Sequence, residues 1–181
     1  MRVILDTCVL VPNATREIVL RAAEQDLFVP LWSDKIFEEW KFVIAKNSSK
    51  SLETVKIEIL LMNKRWNGSL VFRNKHLENT LCLPDMDDRH VLASAITGGA
   101  QIILTNNLKD FPPRLLATHG IRPRSVDSLF FELFYDFPDT IETIVRKVFH
   151  LSVEENNFRG QSLKSFLKKH GLPRLAKRVR L

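Results

Sequence analysis

At 181 residues, with 45% apolar and 27% charged residues, the chain has the size and make-up of one ordinary globular domain plus a small appendage. Its charges are mixed in sign, which excludes a disordered polyelectrolyte, and no run approaches the roughly 18 apolar residues of a membrane span. The net charge of +6 is uneven: residues 1–155 hold 19 basic against 21 acidic residues, and residues 156–181 hold eight Lys or Arg and no acid.

Arg2 to Val9 is a short apolar run rich in β-branched residues, which predicts a buried strand. An acid follows only three apolar residues there, so the start does not read as a secretory signal. Cys8 and Cys82 lie in or beside apolar segments and read as reduced core residues, which points to a cytoplasmic protein with no membrane association. Arg16 to Gln25 has helical periodicity, and Leu27 to Leu31 suits a second strand. Ser33 is placed to cap a helix carrying Ile36, Phe37, Trp40, Val43 and Ile44 on one stripe. Leu52 to Trp66 predicts another amphipathic helix, and Leu70 to Phe72 a further short strand. Asp85 to Thr97 reads as a helix ended by Gly98-Gly99, Gln101 to Thr105 as a strand, and Pro112-Pro113 as the start of the next segment.

Short buried strands alternating with helices imply an α/β fold around a mostly parallel sheet. Beyond residue 135 the strand signal stops. Residues 141, 144, 145, 148 and 149 form a helical stripe, and Ser162 to His170 gives a shorter helix closed by Gly171. The expected division is an α/β domain over 1–135 and a basic helical extension over 136–181. That tail suits a polyanionic partner; its plain alternative is a solvated terminus.

Five acids stand where a carboxylate can face the end of such a sheet: Asp6, Glu39, Asp85, Asp88 and Asp110. Carboxylates drawn together repel unless a cation sits among them, and a hard divalent ion held by oxygens is the simplest remedy. Each acid also has a plainer reading. Asp6 could cap the next turn, Glu39 could pair with Lys35 on an exposed edge, and Asp85 and Asp88 could serve as N-cap and first-turn residues. Glu39 lies between Ile36 and Val43 on the apolar stripe, where an uncompensated charge costs several kcal/mol. Three acids among residues 85–88 exceed what capping requires. Thr105, Asn106 and Asn107 could hold a carboxylate or water in place, or merely form an Asx-rich turn. The five histidines show no zinc-ligand spacing.

Four segments occur in order: Ile4-Leu5-Asp6-Thr7, Trp32 to Trp40, Leu83 to Ala93 and Ile103 to Pro112. In these the chain resembles the PIN-domain ribonucleases, and within them the VapC-type toxins of bacterial toxin–antitoxin pairs, over residues 1–130. The resemblance implies a three-layer α/β/α sandwich and a Mg²⁺- or Mn²⁺-dependent endoribonuclease. Asp6, Glu39, Asp88 and Asp110 would be its catalytic acids and metal ligands, supported by Asp85, Thr105 and Asn107. It also implies an RNA substrate, a small antitoxin partner and a homodimer. Two positions depart from the family pattern: Cys8 where Ser, Thr or Asn is frequent, and Asn107 where many members carry an acid.

The chemistry agrees with that likeness. Phosphodiester hydrolysis needs an activated water, a clamp on the non-bridging oxygens and support for the leaving oxygen, all of which divalent ions supply. The expected products are a 5′-phosphate and a 3′-hydroxyl. Lys164, Lys168, Lys169, Arg174, Lys177, Arg178 and Arg180 would contact the RNA backbone. A haloacid-dehalogenase-type phosphatase would want an acid where Cys8 stands, and a receiver domain an acidic pair before Asp6. The remaining alternative is a catalytically weak PIN-like module that binds RNA or protein, which the Asn107 departure favours.

Overall fold

The computed structural model describes residues 1–47, 51–156, 160 and 162–180; Arg159, one of the tail cations, lies outside them. In chain order the elements begin β1 Arg2–Leu5, α1 Thr7–Leu10, α2 Asn13–Glu24, β2 Val29–Ser33, α3 Asp34–Asn47, α4 Leu52–Arg65 and β3 Leu70–Val71. They continue α5 Lys75–Thr80, α6 Arg89–Thr97, β4 Ile102–Leu104, α7 Pro113–Ala117 and β5 Arg122–Arg124. The last helices are α8 Val126–Asp136, α9 Pro138–Asn156, α10 Leu163–Lys169 and α11 Pro173–Ala176. A 3₁₀ turn, Leu108–Asp110, separates β4 from α7.

The chain forms two compact units, Met1–Val11 with Phe28–Arg124, and Pro12–Leu27 with Ser125–Leu181. The boundary expected at residue 135 falls at the end of α8, inside the second unit.

The first unit holds one parallel sheet in the order β3-β2-β1-β4-β5. Val3, Ile4 and Leu5 of β1 and Ile103 and Leu104 of β4 are fully buried. Such continuous apolar strands are what a sheet covered on both faces requires. Ile4 is in register with Leu31 on one side and Ile103 on the other. Strand order runs one way from β1 to β2 and β3, then resumes on the other side of β1 with β4. Right-handed crossovers therefore put α3 and α4 on one face and α5, α6 and α7 on the other, completing three layers. The reversal between β1 and β4 opens a crevice at their carboxyl ends.

The expected strand over Arg2–Val9 is shorter than predicted. Asp6 keeps an extended backbone, and its amide donates to the Leu104 carbonyl at 3.1 Å, but Thr7 to Leu10 turn into a helix. Cys82 is exposed rather than part of the core, since it lies in the open segment after α5. The predicted stop of α6 is present, with Gly99 in the left-handed region at φ 62°. Gly98 is there for a different reason: a Cβ on it would come within 2.8 Å of Val71 Cγ2 and 3.0 Å of Leu31 Cδ1. Gly98→Ala should therefore destabilise the protein by about 1–3 kcal/mol, measured as a lower urea midpoint with an unchanged slope.

Among the described residues the second unit is wholly helical. Helix α9 packs on α2 and α8, while α11 packs on α8 and α10. Of the stripe read from the sequence, Ile141, Ile144, Val145 and Val148 are buried there with Phe130, Phe166 and Leu167, while Phe149 is only partly buried. The Asp127 carboxylate accepts from the Arg174 and Leu175 amides at 3.0 Å, fixing the first turn of α11 against α8. No helix among the described residues is long and apolar enough to cross a membrane.

Candidate metal centre

The crevice at the ends of β1 and β4 is lined by acids. Asp6 follows β1 and is buried. Its Oδ2 accepts from the Thr105 hydroxyl at 2.6 Å and from the Cys8 thiol at 3.1 Å. Thr105 Oγ1 in turn accepts from the Asn107 amide at 3.0 Å, and Cys8 Sγ from the Asn106 amide at 3.2 Å. These bonds tie the β1 end to the loop after β4 and lock one oxygen of Asp6. Burial, followed by the Asp6 charge, pushes the Cys8 thiol up to about 12, so it stays protonated and serves as a donor. The cysteine departing from the family pattern is thus part of the network that orients Asp6.

Asp85, Asp88 and Asp110 converge: one carboxylate oxygen from each lies within 4.8 Å of the others. Asp85 does not open α6 as predicted. Its Oδ1 accepts from the Asp87 amide at 2.9 Å, making a local turn, and the helix begins only at Arg89. The turn brings Asp85 to the same place by another route. Asp88 Oδ2 is buried and has no hydrogen-bond partner among the described residues. Burial first, then the charges of Asp6, Asp85 and Asp110, push the Asp88 carboxyl up to about 6. A buried, unsatisfied carboxylate oxygen among like charges is costly, and a divalent cation in contact with it would remove both penalties. All these donors are hard oxygens, which suit Mg²⁺ or Mn²⁺ rather than a thiophilic metal.

Glu39 sits apart from that trio. Its Oε2 accepts from the Thr7 hydroxyl at 2.7 Å, and its Oε1 lies 2.8 Å from Nε2 of His90, which is 2% exposed. The nitrogen and oxygen are at ion-pair distance, although the alignment falls short of a hydrogen bond; His90 Nδ1 has no partner among the described residues. Burial pushes the Glu39 carboxyl up, but the contact with His90, the His90 charge and the Thr7 bond outweigh it and hold the group below its usual range. The helix that carries Glu39, α3, is anchored by the indole of Trp32. That ring packs on Phe37 at 5.8 Å and Trp66 at 5.9 Å while donating to Asn63 Oδ1 at 2.8 Å, which docks α3 and α4 together. A polar cleft of about 350 Å³ opens beside Glu39 and His90, with Lys35 and Arg89 on its wall.

Asp6, Thr105 and Asn107 are therefore linked by hydrogen bonds, and Asp85, Asp88 and Asp110 by proximity, while Glu39 belongs to a Thr7–His90 set. His90 and Cys8 were not predicted as site residues. The signal for His90 was its place two residues after Asp88 on the buried stripe, where a polar ring needs a partner. Of the basic residues, Lys164, Lys168 and Lys169 lie on α10 and Arg174 on α11, with Lys177, Arg178 and Arg180 just after it.

The first unit is thus a parallel α/β domain with acids gathered at the carboxyl ends of its central strands. The PIN-domain family model matches residues 2–109, and the chain belongs to that family. It is also similar to a chain of the VapBC2 complex from Rickettsia felis, solved bound to a DNA fragment from its promoter. That likeness is 18% identical, covers 69% of this chain and 98% of the other, and has a TM-score of 0.45. No curated protein matches the sequence.

Proposed function

We propose that this protein is a Mg²⁺- or Mn²⁺-dependent endoribonuclease that acts in the cytoplasm as the toxin of a toxin–antitoxin pair, as a homodimer held in check by a small antitoxin. The observation that carries the nuclease reading is the buried, unpartnered Asp88 Oδ2 within a trio of carboxylates. Asp85, Asp88 and Asp110 would hold the cation, with Asp6 beside them and Glu39 as a further acid on the neighbouring helix. When bound, the ion neutralises the scissile phosphate and makes water available as a nucleophile near neutral pH.

The chain's own groups do the rest. Thr105 and Cys8 hold Asp6 in one orientation, so it pays no reorganisation when substrate arrives. Thr7 and His90 do the same for Glu39. Lys35 and Arg89 offer cations to a phosphate entering the adjoining cleft. Asn107 costs the site one acid relative to many relatives, and Asp85 restores the count, which weighs against the weak binding module.

The toxin role rests on the order and spacing of the four sequence segments. Induced expression of the chain should arrest bacterial growth and cut RNA in vitro only with Mg²⁺ or Mn²⁺, leaving 5′-phosphates. Asp6→Asn should do neither while melting like the parent. Full cleavage by purified Asp6→Asn protein would refute the assignment.

A further inference from the structure

Several arginines of the fold are matched to acids: Arg21 to Glu17, Arg73 to Glu78 and Arg146 to Glu142. Arg174, Lys177 and Arg178 have no carboxylate partner among the described residues. Two of them instead lie over aromatic rings of α8. The Arg174 guanidinium is 4.3 Å and that of Arg178 4.9 Å from the Phe131 ring centre, and Arg178 is also 4.8 Å from that of Tyr135. Tyr135 packs edge-on against Phe131 at 5.5 Å, bonds its hydroxyl to Arg178 and remains 63% exposed. Phe131, Arg174, Lys177 and Arg178 line an open cleft of about 420 Å³ with no acid on its wall.

We infer that this face of α8 and α11 is a platform for single-stranded RNA, with Tyr135 and the two guanidinium planes taking bases and Lys177 with the guanidinium N–H edges taking phosphates. It rests on the reading that RNA is the substrate. Stacking on a ring leaves the in-plane donors of a guanidinium free for phosphate, and uncompensated cations beside an exposed ring are what a stacked, negatively charged strand needs. An acidic protein segment would use the cations but has no call on an open tyrosine face. The platform is built rather than frayed, since the Asp127 carboxylate pins the start of α11 through backbone amides.

The full chain, kept in EDTA so that nothing is cut, is titrated with a fluorescent oligouridine and separately with a polyglutamate peptide. Arg174→Gln/Arg178→Gln should weaken RNA binding about tenfold or more and flatten the salt slope by about 1.4, or roughly 0.7 for each lost phosphate contact. Tyr135→Ala should weaken it at least about fivefold with the slope unchanged. Because Asp127 bonds the Arg174 backbone, the side-chain variants should melt like the parent; Tyr135→Ala, on an exposed ring, is the second check. Parental RNA affinity in both variants would overturn the inference, as would platform-dependent binding of polyglutamate in place of RNA. Platform-dependent RNA binding by a chain that cuts no RNA with metal would uphold the platform and sink the nuclease reading alone.

Discussion

Asp88→Asn should abolish RNA cleavage, on the order of 10³-fold or more, and at the same time make the metal-free protein more stable at pH 7. Both effects have one cause. The Asp88 carboxyl is pushed up to about 6 by burial and by Asp6, Asp85 and Asp110, so its charged form is disfavoured in the fold without a cation. The folded protein then binds this proton more tightly than the unfolded chain, whose ordinary value is 3.8. Stability contributed by the group is present at low pH and declines as pH rises from about 4 to about 6. After solvent screening of a half-buried group the loss is about 1 kcal/mol, or roughly 2–4 °C of melting temperature for a chain of this size. The amide variant should not show this decline. Conversely, Mn²⁺ should raise the melting temperature of the parent near pH 7, less so below pH 6, and should leave the variant unmoved. Equal metal stabilisation of both proteins would remove Asp88 from the site.

His90→Ala should reduce cleavage about 10–100-fold while leaving the Asp85, Asp88 and Asp110 cluster able to bind Mn²⁺. The ring does not belong to the acidic trio. It lies 2.8 Å from Glu39 Oε1, opposite the Thr7 bond on Oε2, so the pair fixes the carboxylate at both oxygens. Without the ring, Glu39 keeps one partner and loses the favourable charge that offsets its burial. Stability should also fall by about 1–3 kcal/mol, from a half-buried carboxylate left with one partner beside a new cavity. His90→Asn, which keeps a side-chain donor, should recover part of the rate. A variant that cuts RNA at the parental rate would show that Glu39 needs no such support.

Much of this was legible because the first unit obeys simple patterns. Val3-Ile4-Leu5 and Ile102-Ile103-Leu104 read as buried strands, and Ser33 and Gly98-Gly99 marked where helices start and stop. The edge strand β5 was missed because Arg122-Pro123-Arg124 has neither alternation nor an apolar run, and proline is tolerated only at such an edge. Asp85 was assigned to a helix because acids are common in first turns; its own side chain, accepting from Asp87, competes with helix formation instead. The pairing of Glu39 with His90 and of Asp6 with Cys8 and Thr105 was not legible. Spacing along one segment carries no information about a partner 51 or 99 residues away.

On the proposed nuclease reading, the Thr105–Asp6 bond also fixes when the protein could first cut. Its two ends are 99 residues apart. At translation speeds of about 5–20 residues per second, the aspartate leaves the ribosome roughly 5–20 seconds before the threonine that orients it. A nascent chain that has emerged only through β3 carries neither Asp88, Asp110 nor a seated Asp6. On that reading, cleavage of the RNA of the polysome making it would wait for the second half of the sheet, and an inhibitor made in that interval would meet the protein before it could cut.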